Sequence, residues 1–305
     1  MTDVDREIRE IAELSDNPLE ERIRRQIPHY GFYPGGANAH FVSEVNWHWH
    51  GEYEFGYVAE GSILYKTSRS RFILHSGEAI FINSGVLHYL QPLEEGTRLY
   101  TQFIDGAFLA EPGSFADERY LRPVAEKRRL DAFPIRRADG EEALLDGLEE
   151  GIRLAQERAP FYEFRLKGIF LSVWERVYAR ASAELLPEEK TGEESDRRVK
   201  EMILYIQQHF QEEIAAADIA HSAHVSEREC YRLFKGSLEM TPIEFLFSVR
   251  IRRAQEMLMR TDKSVLDIAL EAGFSSSSYF GKRFREQCGI SPGQFRKRYW
   301  EMIKG

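Results

Sequence analysis

The 305-residue sequence holds only two cysteines, Cys230 and Cys288, far apart and each inside a helical pattern. That excludes a disulfide framework, argues against a cysteine-based zinc site, and suits a reducing cytoplasm. No apolar run approaches the roughly 18 residues a membrane span requires, so no membrane partner is expected. The opening MTDVDREIRE carries both signs of charge and no apolar core, so no secretory signal is read there. The first half also lacks helical stretches between its strand-like runs, which argues against a βαβ fold. The length is more than one core usually organises, so two domains are expected.

What is present divides the chain. The net charge of −9 is unevenly spread: residues 196–305 hold 18 Lys+Arg against 15 Asp+Glu, and the remainder 23 against 35. An acidic front joined to a mildly basic tail points weakly to a polyanion for the tail. Residues 3–27 read as short helices broken near Asn17-Pro18. From about 38 to 104 come short runs bounded by Gly, Ser and Asn: EFGYVAEG, SILYKTS, RFILHSG, EAIFINSG and LYTQFID. Closely spaced strands of this kind indicate a β-sandwich or barrel.

After residue 140 the period becomes helical. Leu145, Leu148, Ile152 and Ala155 form one narrow stripe. The segment FYEFRLKGIFLSVWERVYARA is apolar on two sides, with Phe164, Leu171, Trp174 and Tyr178 on one and Leu166, Ile169, Phe170, Val173 and Val177 on the other. Such a helix is covered twice, either by the barrel and a neighbouring helix or by a dimer partner as well. The acidic SAELLPEEKTGEESD, without an aromatic, reads as a linker.

The remainder repeats itself. Ile219, Ala220 and Ala223 turn inward, Ser226 is a good helix N-cap, and Glu229 three residues on completes a capping-box pattern. The helix that follows carries Arg228, Tyr231, Arg232 and Lys235 outward, with Cys230, Leu233 and Phe234 inward. This is a helix-turn-helix pattern, whose second helix enters a DNA major groove. About fifty residues later Ile268, Ala269 and Phe284 repeat Ile219, Ala220 and Phe234, with a turn one residue longer containing Gly273-Phe274. Between the two runs PIEFLFSVRIRRAQEMLMR, an unbroken helical stretch of about 30 Å, close to one turn of B-DNA. One chain would thus read two neighbouring DNA segments.

Residues 199–300 resemble the AraC/XylS-type transcription regulators. The resemblance is carried by Ala220, Ser226 and LFK, by TP at 241–242, by VRIRRAQEML, and by DIALEAGFSSSSYFGKRFREQCGISPGQFR. Glu239 stands where the family has a glycine, which implies a different exit from the first recognition helix. The resemblance implies that Arg228, Tyr231 and Arg232 of the first reader, and Ser277, Ser278 and Lys282 of the second, face base edges. For Ser277 and Ser278 simple helix capping is the alternative. Lys235, Arg250, Arg283 and Arg285 are either phosphate contacts or intradomain ion pairs; Lys235 and Arg283 join the DNA-binding set.

The strands resemble a cupin barrel. His48, His50, Glu54 and Gly61 match the first cupin motif, and Gly77, Gly85 and His88 the second, with Asn83 in place of Pro and Pro92 in place of Asn. Alternation along a strand points His48 and His50 the same way. In metal-binding cupins these positions converge, and three imidazoles with a carboxylate suit a divalent transition metal. Three readings stay open for His48, His50, Glu54 and His88: a metal site, a metal-free effector pocket, or a structural network.

The expected chain is an α+β multidomain protein, with an N-terminal cupin-like β-barrel and flanking helices and a C-terminal all-α double helix-turn-helix domain. The expected divisions are an arm at 1–37, a ligand-sensing barrel at 38–138, a helical dimerisation segment at 139–181, a linker at 182–196 and a DNA-binding domain at 197–305. The function implied is that of a cytoplasmic bacterial regulator that takes double-stranded promoter or operator DNA and a small-molecule effector. It is expected to form a homodimer and, if an activator, to meet RNA polymerase. No catalytic residue is assigned. The alternative is a cupin metalloenzyme, a dioxygenase or isomerase with an accessory helical domain, for which the sequence offers no further acid–base pair.

Overall fold

A computed structural model describes residues 25–36, 45–126, 130–183 and 193–304. The contacts divide these residues into two compact units, the second starting with the helix Glu193–His209.

The first unit is built on two antiparallel sheets. The strands are β1 (Arg25–Ile27), β2 (Tyr30–Gly36), β3 (Val45–His48), β4 (Tyr53–Glu60), β5 (Ser62–Thr67), β6 (Arg71–His75), β7 (Ala79–Ile82), β8 (His88–Pro92), β9 (Arg98–Ile104) and β10 (Ala132–Ile135). One sheet has the order β1-β2-β9-β4-β7-β10 and the other β3-β8-β5-β6. Val58, Ile63, Tyr65, Leu74, Ile80, Ile82, Leu90 and Leu99, drawn from both sheets, fill the space between them. Strand alternation then sends Tyr53, Phe55 and Phe81 to the opposite face of the larger sheet. There they meet helices α3 (Glu142–Glu157) and α4 (Tyr162–Ala183) through Leu144, Leu148, Phe170, Val173 and Trp174. Two shorter helices, α1 (Gly106–Leu109) and α2 (Arg122–Ala125), precede β10.

Three sequence expectations change here. Residues 25–36, within the segment expected as an arm and partly as helix, form β1 and β2, and β2 pairs along its length with β9. The broken helices expected before residue 25 and most of the expected linker lie outside the described residues. The stripe on α3 is wider than four residues, because Leu144, Gly151 and Leu154 are buried too. On α4, Trp174 packs inside against Tyr53, the two rings tilted at 50°. Of its expected face only Phe164 and Leu171 remain outside, with 79% and 49% of their surface exposed.

The second unit is helical: α5 (Glu193–His209), α6 (Ala216–Ser222), α7 (Glu227–Leu238), α8 (Pro242–Arg260), α9 (Val265–Glu271), α10 (Ser277–Cys288) and α11 (Pro292–Lys304). Ile219, Ala220, Cys230, Leu233 and Phe234 are buried, as are their counterparts Ile268, Ala269, Phe280 and Phe284. Residues 223–226 join α6 to α7 and residues 272–276 join α9 to α10, so the second turn is the longer. Thr241 and Glu244 close a reciprocal capping box at the start of α8 (2.6 and 3.2 Å), and Pro242 occupies its first turn.

Arg250 makes neither of the contacts expected of it. It is buried, and its Nε and Nη2 donate to the carbonyls of Phe210 and Glu212 at 2.7 Å each. Gly273 makes this possible: at φ +83° a Cβ there would stand 2.4 Å from the Phe210 carbonyl oxygen and 2.9 Å from Arg250 Nε. Glu239 ends α7 in the left-handed conformation, φ +61°, as Gly289 ends α10 at φ +73°. The helix exit is therefore the left-handed one that a glycine would give, made here by a residue that pays steric strain for it.

Candidate sensor centre and nucleic-acid interface

The four residues of the cupin-like motifs meet in space. His48 ends β3 and lies opposite His88 across the β3·β8 ladder, their ring centroids 4.1 Å apart. His50 sits in the turn after β3, held by the Gly85 amide donating to its carbonyl (2.8 Å). Glu54 comes from β4 in the other sheet. All four are buried, and one ligand atom from each lies within 4.8 Å of every other. The centre thus joins the two sheets.

Hydrogen bonding fixes the imidazoles. His50 Nδ1 donates to the Glu52 carbonyl (3.1 Å) and His88 Nδ1 to the Val86 carbonyl (2.9 Å). A carbonyl only accepts, so both protons sit on Nδ1, and each Nε2 turns to Glu54. His50 Nε2 lies 3.2 Å from Glu54 Oε2. His88 Nε2 lies 3.1 Å from the same oxygen, yet this buried atom has no hydrogen-bond partner among the described residues. Two imidazole lone pairs and a carboxylate cannot share this space without a positive charge between them. Burial alone raises the Glu54 carboxyl, but where the imidazoles themselves carry that positive charge, His88 and then His50, they outweigh burial and hold the group well below the usual carboxylate range. A divalent transition metal satisfies the same donors, orphaned His88 Nε2 included, so the residues present fit one.

Three supporting residues, Tyr65, Gly56 and Phe103, were not legible in the sequence. Tyr65 donates its hydroxyl to Glu54 Oε1 (3.2 Å), and burial, with the Glu54 charge beside it, pushes that phenol well up. Gly56 admits it, since a Cβ there would lie 2.5 Å from the Tyr65 oxygen. Phe103 of β9 closes the edge of His50, with centroids 5.1 Å apart. Asn83, the departure from the cupin pattern, is a buried staple: its Nδ2 donates to the carbonyls of Val124 (2.7 Å) and Leu130 (3.0 Å).

In the helical unit, α7 presents Arg228, Arg232 and Lys235 to solvent, with Tyr231 half-buried. Ser226 caps the helix, its Oγ accepting from the Glu229 amide (3.2 Å). The Glu229 carboxylate does not complete the expected capping box. It takes Nε and Nη2 of Arg232 at 2.8 and 2.6 Å, and Arg232 holds that carboxyl below the usual range. Lys235 lies 3.5 Å from Glu244. At α10 the cap is Ser276, accepting from the Tyr279 amide (3.3 Å), which leaves Ser277 and Ser278 exposed on the first turn. Lys282 is open to solvent beside Glu286 (3.9 Å). Arg283 is half-buried, stacked 4.4 Å over the Phe247 ring of α8 and bonded to Glu286 (3.2 Å). It fastens α10 to α8. Arg285 is exposed on the same helix and lines a shallow surface groove with Ser277, Ser278 and Lys282.

Comparison with known proteins gives two family matches. A model of the AraC-like ligand binding domain matches residues 36–111, and a model of a helix-turn-helix domain matches residues 219–298. The uncharacterized HTH-type transcriptional regulator YdeC of Bacillus subtilis (strain 168) is 24% identical over 267 residues, covering 87% of this chain and 90% of its own. The melibiose operon regulatory protein of Escherichia coli (strain K12) is 25% identical over 261 residues, covering 82% of this chain and 83% of its own. The HTH-type transcriptional regulator CdhR of Pseudomonas aeruginosa is 33% identical over 102 residues, which cover 33% of this chain and 30% of its own.

Proposed function

The chain belongs to the AraC family of DNA-binding transcriptional regulators with an N-terminal ligand-binding domain, and from that premise we propose how its parts divide the work. The observation that carries the reading is the doubled helix-turn-helix joined by α8. Its 19 residues span about 28 Å, near the repeat of B-DNA. Helices α7 and α10 enter successive major grooves. Arg228, Tyr231 and Arg232 read base edges from the first; Ser277, Ser278 and Lys282 read from the second, whose hydroxyls discriminate less than guanidinium groups. Lys235 and Arg285 serve the phosphates. Arg283, which joined the DNA-binding set on sequence grounds, acts by holding the second reader on the strut.

The N-terminal domain senses a small-molecule effector. His48, His50, Glu54 and His88 would hold a divalent transition metal at its centre, which when bound would supply a fixed positive charge and a coordination site for an oxygen or nitrogen of the effector, while Tyr65 orients Glu54. The centre recognises an effector, in keeping with the transcriptional regulators that this chain resembles. Two copies of the chain associate through the exposed side of α4. The protein works in the cytoplasm, where its DNA is, and meets RNA polymerase if it activates.

A footprint of the purified full chain on its own upstream DNA tests the DNA reading. Protection over two adjacent segments, weakening steeply with added salt, is expected; absence of protection at low salt refutes it. Metal analysis tests the centre. Wild-type protein should carry close to one equivalent of a transition metal per chain, and His88→Ala should carry little. Equal metal in both removes the ion from the proposal.

A further inference from the structure

We propose that Glu229 is a specificity-determining positioning residue, which braces Arg232 so that only the end of its guanidinium is offered to DNA. The inference rests on the reading of Arg232 as a base reader and adds a residue that this reading does not contain.

The geometry is specific about which hydrogens are used. Glu229 takes the side pair of the guanidinium, Nε (2.8 Å) and Nη2 (2.6 Å). That leaves both hydrogens of Nη1 and the outer hydrogen of Nη2. These form the end-on fork that matches O6 and N7 of a guanine in the major groove. Arg232 is otherwise a long exposed side chain, and ordering such a chain on binding costs entropy. A carboxylate that holds the fork beforehand removes part of that cost for the one geometry it favours. It also makes the side chain pair nearly neutral as a whole. The pull of Arg232 on any nearby phosphate falls, while the directional contact to guanine remains.

Pairs three residues apart, such as Arg153 with Glu150 and Arg197 with Glu194, occur on other helices, so the contact alone marks no site. The position of Glu229 marks it. Glu229 is the third residue of a helix capped by Ser226, where an acidic side chain ordinarily reaches back to the capping residue's amide. Glu244 does so toward Thr241 at the start of α8. Glu229 leaves that bond unmade and turns to the reader.

The test uses the full chain and a pool of randomised double-stranded DNA, selected in parallel with wild type, Glu229→Ala, Glu229→Gln and Arg232→Ala. Binding to a random-sequence duplex is titrated at two salt concentrations. Arg232→Ala should flatten the preference at one base pair. Glu229→Ala should weaken preference at that same pair about fivefold or more, while random-duplex binding at low salt tightens a few-fold. Glu229→Gln, which keeps an acceptor without the charge, should fall between. A merely structural role would lower binding to all sequences alike and leave the base profile unchanged. If Arg232→Ala flattens a position and Glu229→Ala does not, the brace is refuted and the reader stands. If Arg232→Ala flattens none, the reader itself fails and the inference falls with it.

Discussion

At the scale of single residues, chemistry sets the pattern and a neighbour sets the role. The spacing of His48, His50, Glu54 and His88 was legible because cupin-like motifs announce it. That His88 would hold an unpartnered buried nitrogen toward Glu54 was not, since this depends on Val86 taking its other nitrogen. Tyr65, and the bonds that Asn83 makes, were not legible for the same reason: the partner of Tyr65 lies 11 residues away in sequence and those of Asn83 lie 41 and 47 away. Glu239 offers a test at this scale. A non-glycine residue in the left-handed region costs of order 1 kcal/mol, partly offset by the greater freedom of an unfolded glycine. Glu239→Gly should therefore leave the fold unchanged and stabilise the protein by up to about 1 kcal/mol in a denaturant titration. A clear loss of stability would show that the Glu239 side chain contributes more than its backbone costs.

At the scale of elements, helices with a clear period and strands bounded by turn signals were legible, whereas β1 and β2 were not. The runs that became β4, β5, β6, β7 and β9 carry apolar residues between turn signals. β1 and β2 sit in a stretch with prolines, glycines and charge, and they are strands because β9 offers an edge to β2 and β2 in turn offers one to β1. The α8 strut was visible as an unbroken run, but its anchor was not. Arg250 reads in sequence as a phosphate contact or an intradomain ion pair and is instead buried between backbone carbonyls, with Gly273 opposite. Gly273→Ala should lower stability by about 2 kcal/mol or more, because it combines a disfavoured φ with a clash against backbone. In the full chain its clearest readout is weakened DNA protection on the side of the second reader. Wild-type melting and an intact footprint would show that the turn relaxes at no cost.

At the scale of the whole molecule, the exposed side of α4 is the surface through which two copies are proposed to associate. Phe161, Phe164 and Leu171 stand out from α4 and the turn before it, beside a groove lined by Gly147, Gly168 and Ser172. Phe164→Glu combined with Leu171→Glu should turn a dimer into a monomer by sedimentation or light scattering, with folding kept, since neither side chain faces the core. A wild-type chain that is already monomeric at micromolar concentration would assign that surface elsewhere.

The sequence by itself determined the two kinds of architecture, the doubled reading unit and the four ligand types, because periodicity and motif spacing are local and survive without coordinates. Tertiary structure decided which cations stay open to solvent and what each of the others is engaged with. Arg250 is spent on carbonyls, Arg283 lies on Phe247, and Arg232 is held by Glu229. An arginine's role depends on what stands within about 3 Å of its guanidinium, and only folding brings those groups together.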